Sequence, residues 1–251
     1  MTTAVAAEQA LKGRRVIKSK GTGEEHWRTD YIGTRSTGEG SASPQAFLIE
    51  MRAHETILPH FHEVDQFQVF VAGSGGLGRN DVPTLAVHYT DHHTGYGPIN
   101  AGPRGYSYFT LRAKTDPGAR YLHQPGYREA LRPSRKRHAT APGLLLTTAP
   151  VLMQLDAVHT EALLTGLDAH DGLGAWLHRL GPGMALQGAE PSACGGQYWL
   201  VVNGSLVFHG ERYTPWSLLF VGAADAALDA VAGPEGLEVL QLQYAQHESQ
   251  P

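Results

Sequence analysis

The sequence predicts an all-β protein whose two halves, each a sandwich or barrel, derive from one duplicated unit. Glycine and proline contribute 30 and 15 of the 251 residues, so turns are expected to be frequent and long helices rare. Short apolar segments follow one another at a spacing typical of a sandwich or barrel, which disfavours a parallel sheet with crossover helices. An internal repeat is the third observation, and it indicates two equivalent halves.

Two short segments of the first half recur in the second half at the same distance. Residues 66–74 resemble residues 197–205, and residues 101–105 resemble residues 232–236, an offset of 131 in both cases (197 − 66 and 232 − 101). Each segment contains glycine, which permits the positive φ of a tight strand connection. Each half is therefore predicted to contain the same strand–turn–strand unit.

The strand candidates are short apolar segments rich in β-branched and aromatic residues and bounded by glycine, proline or polar residues. A short helix is predicted over residues 4–11. The candidate strands, in chain order, are 16–17, 27–32, 46–51, 66–71, 85–89, 106–112, 144–146, 151–153, 176–180, 197–202, 205–208, 217–221 and 237–244.

The composition divides the chain into four predicted regions. Prolines and a basic run over residues 132–138 mark a change of character after the first set of strands. The regions are an N-terminal arm with extra strands (1–45), a first barrel (46–113), a basic, proline-rich connector (114–145) and a second barrel (146–251).

Composition also limits the expected partners and location. A formal net charge of −4, with 18% charged residues, gives no sign of a nucleic-acid or anionic-membrane partner. The single cysteine, Cys194, allows no disulfide within the chain and favours a reducing compartment. No apolar run approaches the ~20 residues of a membrane span, and residues 1–10 lack the pattern of a signal peptide. We therefore expect a cytoplasmic protein with a small-molecule substrate or ligand.

Two histidines just before an apolar strand are the main functional candidates. His60 and His62 project to one face if their segment is extended, since residues i and i+2 share a face. Two imidazoles on one barrel wall are a common start of a transition-metal site. Gln66 can reach the same interior from the next strand, whereas Glu63 and Asp65 face away. The alternative is a hydrogen-bonded structural pair of histidines.

The spacing of these residues resembles the first motif of the cupin family. His60, His62, Gln66 and Gly73 stand at the positions of its two histidines, its glutamate and its glycine. Together with the repeat, the resemblance implies a bicupin: two jelly-roll-like barrels of the cupin type, over about 45–113 and 183–245. At the repeat offset His60 and His62 correspond to Pro191 and Ala193, so the second barrel is expected to lack metal ligands.

The sequence departs from the cupin pattern at two ligand positions. Gln66 replaces the glutamate, and Tyr96 stands where the second motif, here residues 94–98, has its last histidine. A neutral amide binds a divalent cation more weakly than a carboxylate, and a tyrosine ligand requires a depressed pKa. His93 is the alternative to Tyr96 as a ligand, although His92 and His93 can equally be exposed to solvent. Gln66 has a counterpart, Gln197, in the half that lacks equivalents of His60 and His62, so Gln66 is weakened as a dedicated ligand.

The resemblance implies a divalent metal (iron, nickel, manganese or zinc) held by His60, His62, Gln66 and His93, with Tyr96 as the candidate catalytic residue. The implied function is a metal-dependent enzyme, an oxidoreductase or lyase of dioxygenase, lyase or isomerase type, acting on a small organic molecule. A non-catalytic ligand-binding or regulatory cupin with a degraded metal site is the alternative. A metal-free acid–base enzyme, with Tyr96 or a histidine as proton donor, is the third reading.

Several further expectations accompany these readings. Tyr106 and Tyr108 share one strand face and are expected either to shape the pocket or to pack in the core. Arg52 and Arg112 end predicted strands, and they either bind a substrate carboxylate or form surface ion pairs. Exposed sheet edges favour pairing between two chains, so a homodimer is expected.

Overall fold

The structure is a computed structural model that describes residues 1–34, 38–167 and 170–246. Strands dominate these residues and helices are few, which confirms the all-β prediction. The chain divides into two compact units: Gly13–Leu144, called the first unit, and Met1–Lys12 together with the chain from Leu145 onward, called the second unit. No helix within the described ranges is both long and apolar enough to cross a membrane.

The elements follow one another as short antiparallel strands. Residues 1–12 contain β1 (Thr3–Val5) and α1 (Ala7–Leu11). The first unit contains β2 (Arg15–Lys18), β3 (Glu25–Ile32), β4 (Gln45–Met51), β5 (Thr56–Ile57), β6 (His60–Phe61), β7 (Gln66–Leu77), β8 (Asn80–Val82), β9 (Val87–Thr90), β10 (Ile99–Arg112), β11 (Arg120–Tyr121) and β12 (His138–Ala141). The rest of the second unit contains α2 (Ala149–Leu152), β13 (His159–Ala162), β14 (Gly174–Leu180), β15 (Ala185–Gln187), a 3-10 helix (Pro191–Ala193), β16 (Gln197–Phe208), β17 (Glu211–Tyr213), β18 (Leu218–Val221) and β19 (Asp229–Gln243).

The main sheet of the first unit has the strand order β12-β9-β7-β10-β4-β3-β2. β5 pairs with β10, β8 pairs with β7, and β6 and β11 form a separate two-stranded sheet. The register aligns side chains of neighbouring strands in rows: Gln68 on β7 lies opposite Thr110 on β10, which lies opposite Phe47 on β4. A second row joins Tyr108, Ile49 and Arg28. The two rows lie two residues apart on β10 and on β4, and alternate residues of a strand share a face. The side chains of both rows therefore point into the interior of the first unit.

The second unit repeats this arrangement around its own core. Its sheet has the strand order β1-β18-β16-β19-β14-β13, with β15 on β19 and β17 on β16. The strand β1 pairs with β18, with Thr3 opposite Phe220, so the first residues of the chain belong to this unit. Trp199 is fully buried in the core, among Leu180, Val201 and other apolar side chains.

The repeat found in the sequence corresponds to equivalent strand pairs, β7 with β10 and β16 with β19. Gly73 has φ +85 and Gly204 has φ +66. A Cβ atom would lie 2.2 Å from the Gly105 carbonyl oxygen at the first and 2.1 Å from that of Gly236 at the second. Register shifts next to these glycines mark β-bulges. The predicted turns at these glycines are therefore wrong, because the strands continue through them with a bulge.

Other predictions for single segments also differ from the structure, and one of them is the strand predicted over residues 144–146, where no strand forms. Residues 114–145 do more than connect the barrels, because β11 pairs with β6 and β12 with β9 inside the first unit. Residues 151–153 do not form a strand, since α2 starts beside Pro150 and ends at Leu152. Proline fits the first turn of a helix because the N–H groups of that turn have no acceptor within the helix, so the N–H that proline lacks is not needed.

Candidate functional site

The two histidines of the motif lie side by side inside the first unit. Backbone hydrogen bonds between His60 and Tyr96, at 3.1 and 3.0 Å, hold the short strand β6 in place. His60 and His62 are buried, and their ring centroids are 5.0 Å apart. Phe61 lies between them in sequence and is also buried. The two imidazoles therefore share the inner face of the barrel wall, as the i, i+2 spacing predicts.

A cavity of about 140 Å³ lies next to these imidazoles. Phe47, Ile49 and Tyr108 form apolar parts of its wall, so Tyr108 shapes the pocket. Tyr106 instead lies in the core and donates a hydrogen bond to the Val82 carbonyl at 2.7 Å. The charged residues around the cavity are Lys18, Lys20, Arg28, Arg112 and Asp116. Four cations and one carboxylate give the cavity a positive field.

His60 belongs to a chain of neutral hydrogen-bonding groups. Its Nδ1 lies 2.7 Å from the Leu58 carbonyl oxygen, which can only accept, so Nδ1 carries the proton. Its Nε2 therefore accepts from the Tyr96 hydroxyl at 2.9 Å, and the Gln66 amide donates to the same hydroxyl. Burial and the neighbouring His62 lower the pKa of His60 to about 3. Burial raises the pKa of Tyr96, so both groups are neutral near pH 7.

His62 lies between a carboxylate and a guanidinium. Its Nδ1 is 2.7 Å from Asp116 Oδ1, and its Nε2 accepts from Arg112 Nη2 at 3.0 Å. Burial opposes ionisation of Asp116, yet His62 and Arg112 hold the pKa of this carboxyl well below its usual range. The backbone amides of Glu63 and Gly118 also donate to it. Burial and Arg112 lower the pKa of His62, so the imidazole favours its neutral form.

Arg112 links the hydrogen bonds around His60, Tyr96 and Gln66 to the pair formed by His62 and Asp116. It is 5% exposed, and its guanidinium donates to Gln45 Oε1 at 2.8 Å and to Gln66 Oε1 at 2.9 Å. The register of β10 against β4 places Gln45 directly opposite it. Of the two alternatives for Arg112, the surface ion pair is wrong, because the end of β10 is covered and the guanidinium lies inside. Arg52 does lie at the surface, near Glu25.

The predicted ligand set does not fit a divalent metal. The atoms that would face the ion, His62 Nε2 and Gln66 Oε1, both accept hydrogen bonds from Arg112, and His60 Nε2 accepts from Tyr96. Two like unit charges 4 Å apart repel by about 4 kcal/mol at an effective dielectric constant of about 20, and a divalent ion doubles this. Among the residues that the structure describes, no group of three or more His, Cys, Asp or Glu side chains is arranged to hold a metal ion.

His93 is not brought to this network. Its ring packs against Phe61 with centroids 5.4 Å apart, and alternation directs Phe61 away from His60 and His62. Its backbone amide donates to the His62 carbonyl at 2.7 Å, so the two residues are neighbours through the main chain only. The structure thus joins His60, His62, Gln66 and Tyr96 and leaves His93 apart, buried on the other side of β6.

Other residues of the site were not identified from the sequence. Gln68 was within reach of sequence analysis, because it follows Gln66 by two residues on one strand and shares its face. Arg28 lies on a strand that the pattern predicted, without a motif to distinguish it. Asp116 and Gln45 had no sequence signal, since they join the site only through contacts between distant segments.

The equivalent region of the second unit has a different interior. Pro191 and Ala193, which replace the histidines, lie in the 3-10 helix. Gln197, the counterpart of Gln66, donates to Gln243 at 2.9 Å, and Gln243 stands at the repeat position of Arg112. Trp199 stands at the position of Gln68 and is buried in the core. A bulky indole therefore fills the second unit at the point where Gln68 borders a cavity in the first.

Comparisons with known proteins identify the fold. No protein-family model and no curated protein matches the sequence. A Nostoc punctiforme protein with a provisional dioxygenase assignment is 12% identical and has a TM-score of 0.58, with 98% of this chain and 84% of that chain covered. Bacillus subtilis oxalate decarboxylase, in a structure determined to study its Mn(II) centres, is 12% identical and has a TM-score of 0.56. The alignment covers 99% of this chain and 78% of that chain.

The bacterial pirin YhhW of Escherichia coli, in complex with nickel(II), is 13% identical and has a TM-score of 0.55, with 98% of this chain and 100% of that chain covered. All three are cupin proteins. At these identities the similarity concerns the fold. With nearly the whole chain aligned and two repeated β units present, the protein has the two-barrel cupin fold that the sequence predicted.

Proposed function

We propose that the first unit is a ligand-binding cupin that holds a small organic molecule in its cavity without a bound metal. One observation carries the proposal: the Arg112 guanidinium donates hydrogen bonds to both His62 Nε2 and Gln66 Oε1. In this reading an internal cation stands in place of a metal ion. It corresponds to the alternative of a cupin with a degraded metal site.

The state of the His60–Tyr96 pair supports binding over proton transfer. An efficient general acid or base has a pKa near the working pH. Burial lowers the pKa of His60 to about 3 and raises that of Tyr96 above its ordinary value. The pair therefore suits a fixed hydrogen-bonding role, and the metal-free acid–base reading is the less supported one.

The second candidate is the metal-dependent enzyme implied by the cupin resemblance. Two observations favour it: His60 and His62 share one inner face, and similar structures include a manganese enzyme and a nickel complex. It requires Arg112 to leave His62 and Gln66 so that both can bind the ion. In that case Tyr96 is the residue best placed to contact a substrate. The homodimer and the cytoplasmic location stay predictions under both candidates.

Metal analysis of the protein purified without a histidine tag separates the two candidates. After incubation with Fe(II), Ni(II), Mn(II) or Zn(II) and desalting, we expect less than stoichiometric metal in the wild type. The double variant Gln66→Glu with Arg112→Met removes the guanidinium and supplies the carboxylate of the cupin pattern, so we expect it to gain metal. Arg52→Met, which removes an exposed arginine, is the matched control.

Stoichiometric metal in the wild type that is lost in His60→Ala would contradict the proposal and support the enzyme. Circular dichroism of each variant would verify that differences in metal content do not arise from unfolding.

A further inference from the structure

Two buried polar atoms of residues that line the cavity have no hydrogen-bond partner. They are Nη2 of Arg28 and Oε1 of Gln68. Arg28 is 6% exposed and Gln68 is 2% exposed, so bulk water does not satisfy these atoms. Buried polar groups in folded proteins are nearly always paired, and an unpaired one requires an explanation. A ligand in the cavity that accepts from Arg28 and donates to Gln68 would supply both partners.

The side chain of Arg28 is held in place by contacts with Asp30 and Phe47. Its Nε donates to Asp30 Oδ1 at 2.7 Å, and its guanidinium carbon lies 3.5 Å from the ring centroid of Phe47. Asp30 also pairs with Arg15, so two guanidinium groups share one carboxylate and a positive charge remains. Burial lowers the pKa of Arg28 to about 10, which leaves it charged near pH 7. Arg28 thus offers a fixed cation and a free donor.

The charges around the cavity favour an anion. Arg28 and Arg112 lie inside, and Lys18 and Lys20 are exposed residues of the same lining. The one carboxylate of the lining, Asp116, is already paired with His62 and Arg112. Charges of one sign along a cleft raise the local concentration of ligands of the opposite charge.

The unpaired Gln68 oxygen and the apolar walls of the cavity favour an organic ligand with a hydrogen-bond donor. The amide oxygen of Gln68 can only accept, so its partner must carry an O–H or N–H group. The walls contributed by Phe47, Ile49 and Ile57 suit a carbon skeleton, and about 140 Å³ limits the ligand to a small one.

We propose that the cavity of the first unit binds a small organic carboxylate that also carries a hydroxyl or amide donor. Arg28 anchors the carboxylate, and Gln68 accepts from the donor. The inference rests on the proposed function, because it names the ligand class of the same cavity. It adds two recognition residues that the cupin motif does not contain.

Binding of a matched set of small molecules to the full-length protein tests this inference. The probes are glycolate, acetate, glycolamide and inorganic phosphate, measured by isothermal titration calorimetry in the presence of EDTA. Glycolate has both required groups, acetate lacks the hydroxyl and glycolamide lacks the charge. We expect glycolate to bind more tightly than acetate, glycolamide or phosphate.

Four variants test the contacts. Arg28→Gln is expected to weaken glycolate binding by about tenfold or more, since a charge-assisted hydrogen bond is lost. Arg52→Gln removes an exposed arginine that does not line the cavity and is expected to leave binding unchanged. Gln68→Leu is expected to abolish the preference for glycolate over acetate while leaving acetate affinity unchanged. If Arg28→Gln does not fold, Arg28→Lys keeps the charge but not the fork of donors and is expected to weaken binding as well.

Equal binding of glycolamide and glycolate would overturn the carboxylate assignment. If both glycolamide and glycolate then failed to bind to Gln68→Trp, whose indole fills the cavity, the ligand site would still be this cavity. The proposed ligand-binding function would stand and the carboxylate inference would fail. Phosphate binding as tight as that of glycolate and indifferent to Gln68→Leu would also overturn the inference, in favour of an inorganic anion site.

Discussion

Arg112 Nη2 donates a hydrogen bond to Nε2 of His62 at 3.0 Å in a part of the barrel where both side chains are buried. The imidazole lone pair is therefore committed to an arginine of the same chain. Since a metal ion needs that same lone pair, the guanidinium and a metal exclude each other at His62.

Arg112→Met is expected to destabilise the first unit strongly. The change removes the buried donor to three acceptor atoms and the cation beside Asp116; the acceptors are Gln45 Oε1, Gln66 Oε1 and His62 Nε2. Removal of one member of a buried ion pair typically costs about 3–5 kcal/mol. Urea unfolding measures the effect, and Arg52→Met, at an exposed strand end, should stay within about 0.5 kcal/mol of the wild type. Equal stabilities of the two variants would show that the network contributes little.

Gln68→Trp should fill the cavity of the first unit without disrupting the barrel. The repeat supplies the precedent, because Trp199 occupies the equivalent position in the second unit and is fully buried there. We expect loss of glycolate binding in calorimetry with a melting temperature at or above that of the wild type. A lower melting temperature with retained binding would mean that the ring does not enter the cavity.

His88 is expected to make stability fall in acid. Burial and the neighbouring His138 lower its pKa to about 3, while Thr90 and Thr140 hydrogen bond to its ring nitrogens. The unfolded chain therefore takes up a proton near pH 6.5 that the folded protein does not take up until about pH 3. This contribution to stability is complete above pH 6.5 and decreases, as pH falls to about 3, by about 1.4 kcal/mol per pH unit.

The variant His88→Gln separates this effect from that of His60, which has a similar pKa shift. Urea unfolding between pH 7 and pH 4 should show a shallower loss of stability in the variant than in the wild type. The same slope in both proteins would exclude His88 as the source.

Gly204→Ala should be much more damaging than Gly210→Ala. Both glycines have positive φ, +66 and +80, so each alanine incurs about 1–2 kcal/mol for the left-handed conformation. At Gly204 the new Cβ would also lie 2.1 Å from the Gly236 carbonyl oxygen, whereas nothing lies within 4 Å at Gly210. Overpacking adds about 1–3 kcal/mol, and thermal unfolding should rank the variants accordingly. Similar melting temperatures would mean that the bulge yields without strain.

The local pattern of the sequence determined most of the strands, the repeat and the shared face of His60 and His62. These features depend on alternation along one segment and on the conformations that glycine permits, so neighbouring residues suffice to predict them. Glycine at positions 73 and 204 permits the positive φ that both residues adopt. Whether those glycines end a strand or form a bulge within it depended on the pairing partner, and that expectation was wrong.

The tertiary structure alone decided what the histidines contact. Arg112 and Asp116 reach His62 because β10 and the segment after it return to the wall that carries β6, a relationship between distant parts of the chain. Neither periodicity nor composition records the register between such segments. The same reason explains why β1 joins β18, and why one barrel encloses a cavity beside Gln68 while the other is filled by Trp199. The sequence predicted His60 and His62 as the centre of the candidate site, and packing determined that an arginine lies beside His62.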